Sequence, residues 1–237
     1  MATRAEFELS RERALALPAP ALGTDFLREF LLDGRTPARA LTDVAMHAML
    51  PALYGPGEIL ELGAGGDYYK KFARPGQRYV TSNLAPGCDR LLDMTQLEIE
   101  DGSVDALTSV FALEHVFEYG RAIAEMRRVL KPGGRMLLVV PFLYYYHAAP
   151  DDFFRFSLPA LEKLVAPLEV LQRQALGSRG LLIAELLHEK AVLGSKRGAF
   201  MRAVLRAVAL PFLAGALRNH DTTYAVGYGL LCEKAAP

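Results

Sequence analysis

The sequence predicts an α/β fold built on a doubly wound, mostly parallel sheet. Strand and helix patterns alternate between residues 57 and 165, as is typical of such sheets. RMLLVVPF at 135–142 is almost wholly apolar, like a central strand buried on both faces. EILELGAGG, from residue 58, is a short apolar strand that runs into a glycine turn. Such a turn at a strand end indicates a ligand site.

Residues 1–56 carry helical patterns with Pro and Gly breaks and no strand pattern. Apolar residues recur at helical spacing in TDFLREFLL at 24–32, where Thr24 is a candidate N-cap. The same spacing continues in ALTDVAMHAMLPAL at 40–53. We expect this zone to be an N-terminal helical lid.

Further segments complete the predicted sheet and its helices. RYVTSN at 78–83 and VDALTSVFA at 104–112 are strands, and the helix YGRAIAEMRRVLKPGG at 119–134 stops at its Pro-Gly-Gly. In the last zone, 166–237, strand patterns at 168–176 and 223–234 flank a helical insertion at about 180–220. We expect these strands to belong to the same domain as the core at 57–165.

Charge and cysteine content exclude several classes of protein. The 237 residues include 27 Lys plus Arg and 27 Asp plus Glu, so no basic surface for nucleic acid is predicted. Cys88 and Cys232 form neither a disulfide scaffold nor a C-x-x-C pair for zinc. The sequence has no H-x-x-H pair that would suggest a metal site. Its apolar runs are shorter than the roughly 20 residues of a membrane-spanning helix. We expect a metal-free cytoplasmic enzyme without stable membrane insertion.

The glycine turn departs from the fingerprint of dinucleotide-binding proteins. Gly63 and Gly65 fit the first two positions of G-x-G-x-x-G, but Tyr68 stands where the third glycine belongs. The second strand also ends in Asn83 rather than in the acid that binds a ribose. A nicotinamide oxidoreductase is therefore disfavoured.

Four motifs in this order resemble a class I S-adenosylmethionine (SAM)-dependent methyltransferase. They are ELGAGG at 61–66, DM at 93–94, DGSVDALTSVFALEHV at 101–116 and MRRVLKPGGRMLLVVP at 126–141. The resemblance covers about residues 57–165. It implies a seven-stranded Rossmann-like sheet with SAM as the cofactor, a ligand that needs close backbone approach but has no pyrophosphate.

The resemblance implies a cofactor site at the strand ends. Glu61 would orient the glycine turn and help to position the methionine ammonium, and Phe111 would lend its carbonyl to the cofactor amine. Asp93 would accept from the adenine amine, while Met94 lies against the base. The implied cofactor-binding residues are Glu61, Gly63, Ala64, Gly65, Asn83, Asp93, Met94 and Phe111.

Asn83 is the departure from this family, which usually has Asp or Glu at that position. An amide has one acceptor oxygen and also donates, so its bond to a ribose hydroxyl is weaker than that of a carboxylate. Asn83 is compatible with weaker cofactor binding. It also leaves open a repurposed site or a domain that has lost catalysis.

The stretch PFLYYYHAAPDDFFRFS at 141–157 follows the strand whose end flanks the methyl group in this fold. His147 is the candidate general base, held by Asp151 or Asp152 unless one of these caps a helix starting there. Arg155 would pair with an acid of the substrate or of the protein itself. Alternatively the aromatic residues only pack the loop, with Arg155 paired to Asp151. The predicted catalytic residues are His147, Tyr144, Tyr146 and His115, and the predicted substrate-binding residues are Tyr145, Asp151 and Arg155.

Together these patterns predict a methyltransferase that acts on a small molecule, a sugar or a secondary metabolite of natural product biosynthesis. The acceptor would be an oxygen or nitrogen nucleophile, methylated by in-line displacement. Two alternatives stay open: a SAM-consuming enzyme that releases methylthioadenosine, and an inactive partner protein. The basic helical insertion at 194–220 would pack on the domain, form a homodimer or touch a membrane.

Overall fold

The computed structural model describes residues 17, 22–23, 25–55, 57–148, 150–188, 199–216 and 222–236. The chain divides into two compact units. The first draws on Met1–Ala45, Leu143–Tyr145 and Gln174–Gly227. The second draws on Met46–Phe142, Tyr146–Arg173 and Tyr228–Pro237.

Seven strands form one sheet, which confirms the fold predicted from the sequence. Their bounds are β1 Ile59–Leu62, β2 Tyr79–Asn83, β3 Arg90–Leu91, β4 Val104–Val110, β5 Leu130–Pro141, β6 Glu169–Leu176 and β7 Gly227–Glu233. The order across the sheet is β3-β2-β1-β4-β5-β7-β6. β1 pairs in parallel with β2 and β4, as β2 does with β3 and β4 with β5. The carboxyl ends of these strands therefore share one edge.

The helices flank and connect the strands. Their bounds are α1 Asp25–Arg28, α2 Pro37–Met49, α3 Tyr119–Val129, α4 Leu158–Val165, α5 Arg179–Leu186 and α6 Ala199–Ala216. α1 continues as a π-helical turn over Glu29–Asp33. Short 3₁₀ turns occupy Leu50–Leu53, Tyr68–Phe72, Leu113–His115 and Thr222–Tyr224.

The helix α3 is amphipathic and anchors the core of the second unit. Ala122, Ile123, Met126 and Val129 recur at helical spacing and are fully buried. They join a cluster that includes residues of the fully buried strand β1 and of the central part of β5. The near-continuous apolar runs of these two strands are thus explained by burial on both faces of the sheet.

The helix α3 ends earlier than the sequence predicted. The helix stops at Val129, and β5 begins at Leu130, so the Pro-Gly-Gly lies within the strand and not at a helix end. Gly133 N–H donates to the Lys234 carbonyl, and Lys234 N–H donates to the Gly134 carbonyl. This reciprocal exchange is typical of antiparallel pairing, so partners from the end of β7 extend the strand backward.

A second correction concerns the chain after β5. No helix begins near Asp152; residues 151–157 are irregular, and α4 begins only at Leu158. Asp152 instead turns back onto its own loop, where its carboxylate accepts a hydrogen bond from His147 N–H at 2.9 Å. The acid is used within the loop and not as a helix cap.

In the first unit, Glu185 of α5 accepts a hydrogen bond from Ala38 N–H at 2.8 Å, and burial raises the pKa of this carboxyl to about 7. α5 and α6 lie within the predicted helical insertion, whereas its residues 189–198 and 217–220 are outside the described part of the chain. So are Thr24 and residues 1–16, and the N-terminal lid stays a prediction. Within the described residues, no helix is long and apolar enough to cross a membrane.

Candidate active site

The turn after β1 begins at Gly63, which packs directly against the end of β4. Its φ is +75°, and a Cβ built there would lie 2.5 Å from Ala112 Cβ and 2.9 Å from Met94 Cε. Gly65 has open space around its Cα, because a Cβ added there would meet nothing within 4 Å. Gly63 is therefore required by the fold itself, whereas Gly65 leaves backbone open to a ligand.

Asn83, at the carboxyl end of β2, is engaged with this turn. Its Nδ2 donates to the Ala64 carbonyl at 2.7 Å, and its Oδ1 accepts from Ala85 N–H at 3.3 Å. An Asp at this position could not donate the first of these bonds. The amide therefore has a structural reason to stand here, because it joins the end of β2 to the glycine turn.

Glu61 is the buried acid beneath the turn. It is 1% exposed, and Tyr79 Oη donates to its Oε2 at 3.0 Å. Burial raises the pKa of Glu61 to about 7, and the hydrogen bond from Tyr79 offsets this only in part. A cation beside Glu61 would favour the ionised form of its carboxyl.

The loop after β3 holds Asp93 and Met94. Asp93 Oδ1 accepts from Thr95 N–H at 2.8 Å and from Thr95 Oγ1 at 2.7 Å, which closes a tight turn. Met94 is 9% exposed and belongs to the core cluster beside the glycine turn. Asp93 thus shapes the loop, and Met94 brings an apolar side chain close to Gly63.

Phe111, directly after β4, has φ +48° although it is not a glycine. Its N–H donates to the Val139 carbonyl at 2.8 Å, which holds the conformation. A non-glycine residue in the left-handed region costs of order 1–3 kcal/mol, and such residues cluster at functional sites. The strained residue turns the chain from β4 into the 3₁₀ turn Leu113–His115.

That 3₁₀ turn brings Glu114 and His115 together with His147 from the loop after β5. His147 Nε2 lies 3.3 Å from Glu114 Oε1, and His115 Nε2 lies 3.8 Å from the same oxygen. The two imidazole rings meet edge to face with centroids 4.9 Å apart. Glu114 is fully buried, while the side chains of His115 and His147 are 14% and 22% exposed. This group is called the Glu-His-His cluster below.

The loop at 151–155 contacts the Nδ1 atom of each histidine of the cluster. His115 Nδ1 lies 2.6 Å from the Asp151 carbonyl, and His147 Nδ1 lies 3.3 Å from Asp152 Oδ2. Arg155 Nη2 donates to the same carboxylate at 2.6 Å, and this ion pair holds the pKa of Asp152 at about 2. Arg155 thus pairs with Asp152, not with Asp151 as one alternative had it.

The three tyrosines predicted for the site differ in surroundings. Tyr146 is 70% exposed in the second unit. Tyr144 and Tyr145 belong to the first unit, where their ring centroids are 4.4 Å apart. Burial raises the pKa of Tyr144. Their roles stay predictions.

A groove of about 620 Å³ lies at the opposite, amino-terminal edge of the sheet. Its lining comes from residues at or before the starts of strands, among them Gly57, Arg78 and Val104. Parallel sheets bind ligands beyond the carboxyl ends of their strands, where Gly63 and the Glu-His-His cluster lie. The groove is therefore not the candidate active site.

Sequence reasoning missed Glu114 as the centre of the cluster and did not decide between Asp151 and Asp152. The sequence placed Glu114 beside His115, yet nothing in it indicated that His147 meets both. A buried acid next to a histidine at a strand end is the signal that could have pointed to the cluster.

Comparisons with known proteins agree with this geometry. Residues 60–138 match the family model described as "Methyltransferase domain". The ubiquinone/menaquinone biosynthesis C-methyltransferase UbiE of Saccharophagus degradans is 34% identical over 135 residues, 46% of this chain and 54% of that protein. UbiE of Burkholderia mallei strain SAVP1 is 30% identical over 154 residues, 56% of this chain and 62% of the relative. The aligned part thus spans little more than half the length of these relatives.

Solved structures share the fold at low sequence identity. The [4+2]-cyclase SpnF has a TM-score of 0.61 at 17% identity, covering 96% of this chain and 92% of that one. Geranyl diphosphate C-methyltransferase from Streptomyces coelicolor A3(2) has a TM-score of 0.58 at 14% identity, covering 99% of both chains. A putative sarcosine dimethylglycine methyltransferase from Galdieria sulphuraria has a TM-score of 0.56 at 18% identity, covering 97% of both chains.

The matched segment contains the glycine turn, Asn83, the loop of Asp93 and the Glu-His pair, and the sheet has the seven strands that the resemblance implies. Family model, relatives and fold therefore agree with the resemblance seen in the four motifs. Residues 60–138 are thus similar to a SAM-dependent methyltransferase domain, and the seven-stranded sheet is the fold that this likeness implies.

Proposed function

We propose that this chain transfers the methyl group of SAM to an oxygen or nitrogen atom of a small molecule, a sugar or a secondary metabolite. The observation that carries the proposal is the Glu-His-His cluster at the carboxyl edge of the sheet. Glu114 stands two residues after Ala112, the residue against which Gly63 packs. The segment that carries Glu114 and His115 therefore starts beside the glycine turn, at the same edge of the sheet.

For the cofactor, we propose that the backbone at Gly65 approaches the ribose and methionine moieties. Glu61 would face the methionine ammonium, a cation that favours the ionised carboxylate of this buried acid. Met94 and Asp93 would contact adenine, with Met94 offering the apolar surface. Asn83 would contact the ribose through its amide while keeping its bond to the Ala64 carbonyl.

For the acceptor, we propose His147 as the group that receives the proton. A lone pair of the acceptor O–H or N–H group attacks the methyl carbon, the C–S bond breaks, and its electrons stay on sulfur as S-adenosylhomocysteine forms. The proton of the acceptor passes to His147 Nε2. Asp152 supports this because it lies 3.3 Å from His147 Nδ1, on the side of the ring away from Glu114.

An acceptor screen with product analysis tests the proposal. The purified chain is incubated with SAM and candidate hydroxyl and amine compounds, and the nucleoside product is identified by mass spectrometry. S-adenosylhomocysteine together with an O- or N-methylated acceptor supports the proposal. Methylthioadenosine would instead support a different SAM-consuming reaction. A C-methylated product, the outcome suggested by the names of the UbiE relatives, would contradict the proposed acceptor atom.

The variant His147→Ala tests whether His147 is the general base, and His47→Ala is the matched control. His47 is exposed on α2. We expect His147→Ala to lower kcat by about 10²–10⁴-fold, the range typical of a general base, with little change in the Kd of SAM. Normal turnover by His147→Ala would remove the base assignment and leave the likeness to a methyltransferase domain untouched.

A further inference from the structure

Glu114 is a buried acid whose carboxyl oxygens lack an ordinary hydrogen-bond partner. Its side chain is fully buried, and neither oxygen accepts a hydrogen bond within the described part of the chain. Among the described residues, no lysine or arginine forms an ion pair with it; the only basic groups in range are two imidazoles. An unpaired buried charge is strongly unfavourable, and a carboxylate in this position calls for a cation.

Both imidazoles place Nε2 near this carboxyl group. A carbonyl only accepts, so the 2.6 Å contact between His115 Nδ1 and the Asp151 carbonyl places the proton on Nδ1. The His147 Nδ1 that faces Asp152 at 3.3 Å is oriented in the same way. A neutral ring protonated on Nδ1 presents the lone pair of Nε2, and the Nε2 atoms of both histidines lie near Glu114 Oε1.

We propose that Glu114, His115 and His147 form a binding site for a divalent first-row transition metal cation. Their ligand atoms all lie within 4.8 Å of one another, and they are the one such group among the described residues. Ligands at 2.0–2.1 Å from a tetrahedral zinc ion stand about 3.3 Å apart. The distances from Glu114 Oε1, 3.3 Å and 3.8 Å, are close to this value.

The donors select the class of cation. Two imidazoles and one carboxylate suit Zn²⁺, Co²⁺ or Fe²⁺, whereas Mg²⁺ and Ca²⁺ prefer sites made of oxygen atoms. The Asp151 carbonyl and the Asp152 carboxylate hold the outer nitrogens, as groups behind metal-bound histidines commonly do. Three protein ligands leave a coordination position for water or for an acceptor oxygen.

The proposed metal site differs from the sequence prediction, which was that the enzyme is metal-free. The sequence contains no H-x-x-H pair, because the second histidine of the cluster lies on a separate loop, the one after β5. A search for short metal-binding spacings cannot detect a site whose ligands come from separate loops. The cation and the proton of an acceptor compete for His147 Nε2, so His147 is either ligand or base at a given moment. The metal site does not depend on which acceptor is methylated.

Titration of the metal-free protein tests the site without any assay of activity. The full chain is freed of metal with a chelator, which is then dialysed away, and Zn²⁺ and Co²⁺ binding are measured by calorimetry. Binding of Co²⁺ is also followed by its visible absorption spectrum. We expect one cation per chain and a Co²⁺ spectrum of four or five coordination, with no comparable binding of Mg²⁺.

Variants identify the ligands. Glu114→Gln and His147→Gln should each weaken Zn²⁺ binding by more than about 100-fold, and Asp152→Asn, which affects only a positioning residue, by about 10–100-fold. His47→Gln, an exposed histidine outside the cluster, should bind Zn²⁺ like the unaltered chain. If Glu114→Gln does not fold, His147→Gln gives the result alone. The inference is overturned if the unaltered chain binds no stoichiometric cation, or if folded cluster variants bind as tightly as His47→Gln does.

Discussion

Gly63 and Gly65 stand two positions apart in one turn but constrain the molecule differently. Gly63 has a positive φ and no room for a Cβ beside Ala112 and Met94, whereas Gly65 faces open space. A substitution at Gly63 should therefore damage the fold as well as the proposed cofactor site. At Gly65, a side chain would obstruct only the proposed ligand.

Gly65→Val should leave the unfolding free energy of the ligand-free chain within about 0.5 kcal/mol of the original, as is usual for a tolerated surface change. It should weaken SAM binding at least tenfold, because the side chain occupies the space of the approaching ligand. Gly63→Ala should lose about 1–3 kcal/mol of stability through overpacking. Urea denaturation and calorimetric titration with SAM measure both effects. SAM affinity unchanged in Gly65→Val would contradict the placement of the cofactor.

Glu61 should make SAM binding pH-dependent. Its pKa of about 7 means that much of the ligand-free protein carries a neutral carboxyl at pH 6 and an ionised one at pH 8. If the ionised form faces the methionine ammonium, affinity should rise several-fold between about pH 6 and pH 7.2, below the range where the ammonium itself titrates. Glu61→Gln should bind more weakly and show a flat profile over this range. An equally steep profile in Glu61→Gln would assign the dependence to another group.

The Glu61 carboxyl should also make the stability of the chain pH-dependent. The free energy of unfolding falls as the pH rises, whereas the affinity for SAM rises. Its pKa in the folded chain lies above the ordinary value of 4.5, so between 4.5 and about 7 the unfolded state loses its proton first. The contribution of Glu61 to the free energy of unfolding is therefore present below 4.5 and declines until about pH 7. The slope is on the order of 1 kcal/mol per pH unit. Urea denaturation of Glu61→Gln should show a shallower decline, with the remainder partly due to Glu185.

At the scale of elements, Arg128 joins α3 to the loop that leads into β4. Its guanidinium donates to the Leu97 and Ile99 carbonyls, each at 2.8 Å, and to Glu125 Oε1 at 2.8 Å. Glu125 in turn accepts from Leu97 N–H at 2.8 Å. The loop so fixed follows Asp93 and Met94, so the helix supports one side of the proposed adenine site.

Arg128→Lys should destabilise the chain measurably, because an ammonium cannot reproduce the planar fork that reaches two carbonyls and a carboxylate. Arg121→Lys, an exposed position on the same helix, is the matched control and should change stability by less than about 0.5 kcal/mol. Urea denaturation of both variants measures the difference. Equal stability of the two variants would show that the Arg128 bonds are replaceable by water.

The elements also show which local patterns predict structure. The strands β1, β2 and β4 lie where apolar, β-branched runs predicted them. Strands buried in a parallel sheet are apolar along most of their length, so the sequence alone identifies them. The Pro-Gly-Gly after α3 was misjudged because hydrogen bonds from the end of β7, about a hundred residues later, extend β5 over it. Partners that are distant in sequence override local propensity.

At the scale of the whole molecule, SAM should stabilise the folded chain. A ligand at 100 times its Kd adds about 2.7 kcal/mol to the free energy of unfolding when it binds only the folded state. For a chain of this length, that corresponds to a rise in Tm of about 5–10 °C. Thermal unfolding with and without SAM measures the shift. S-adenosylhomocysteine should shift Tm in the same direction, and Gly65→Val should reduce both shifts by about half or more; no shift in the unaltered chain would contradict SAM binding.

The sequence by itself determined the fold and the likeness to a methyltransferase domain, because strand burial and glycine spacing are local patterns that can be recognised without knowing what a segment packs against. It also pointed to His115 and His147 separately. Tertiary structure alone decided that these two meet at Glu114, that Asp152 rather than Asp151 pairs with Arg155, and that the Asn83 amide bonds to the glycine turn. The reason is physical: the histidine cluster and the Asn83 contact depend on where loops from adjacent parallel strands emerge at one sheet edge, which only the packed sheet fixes. The Asp152–Arg155 pair depends on the path of a single irregular loop.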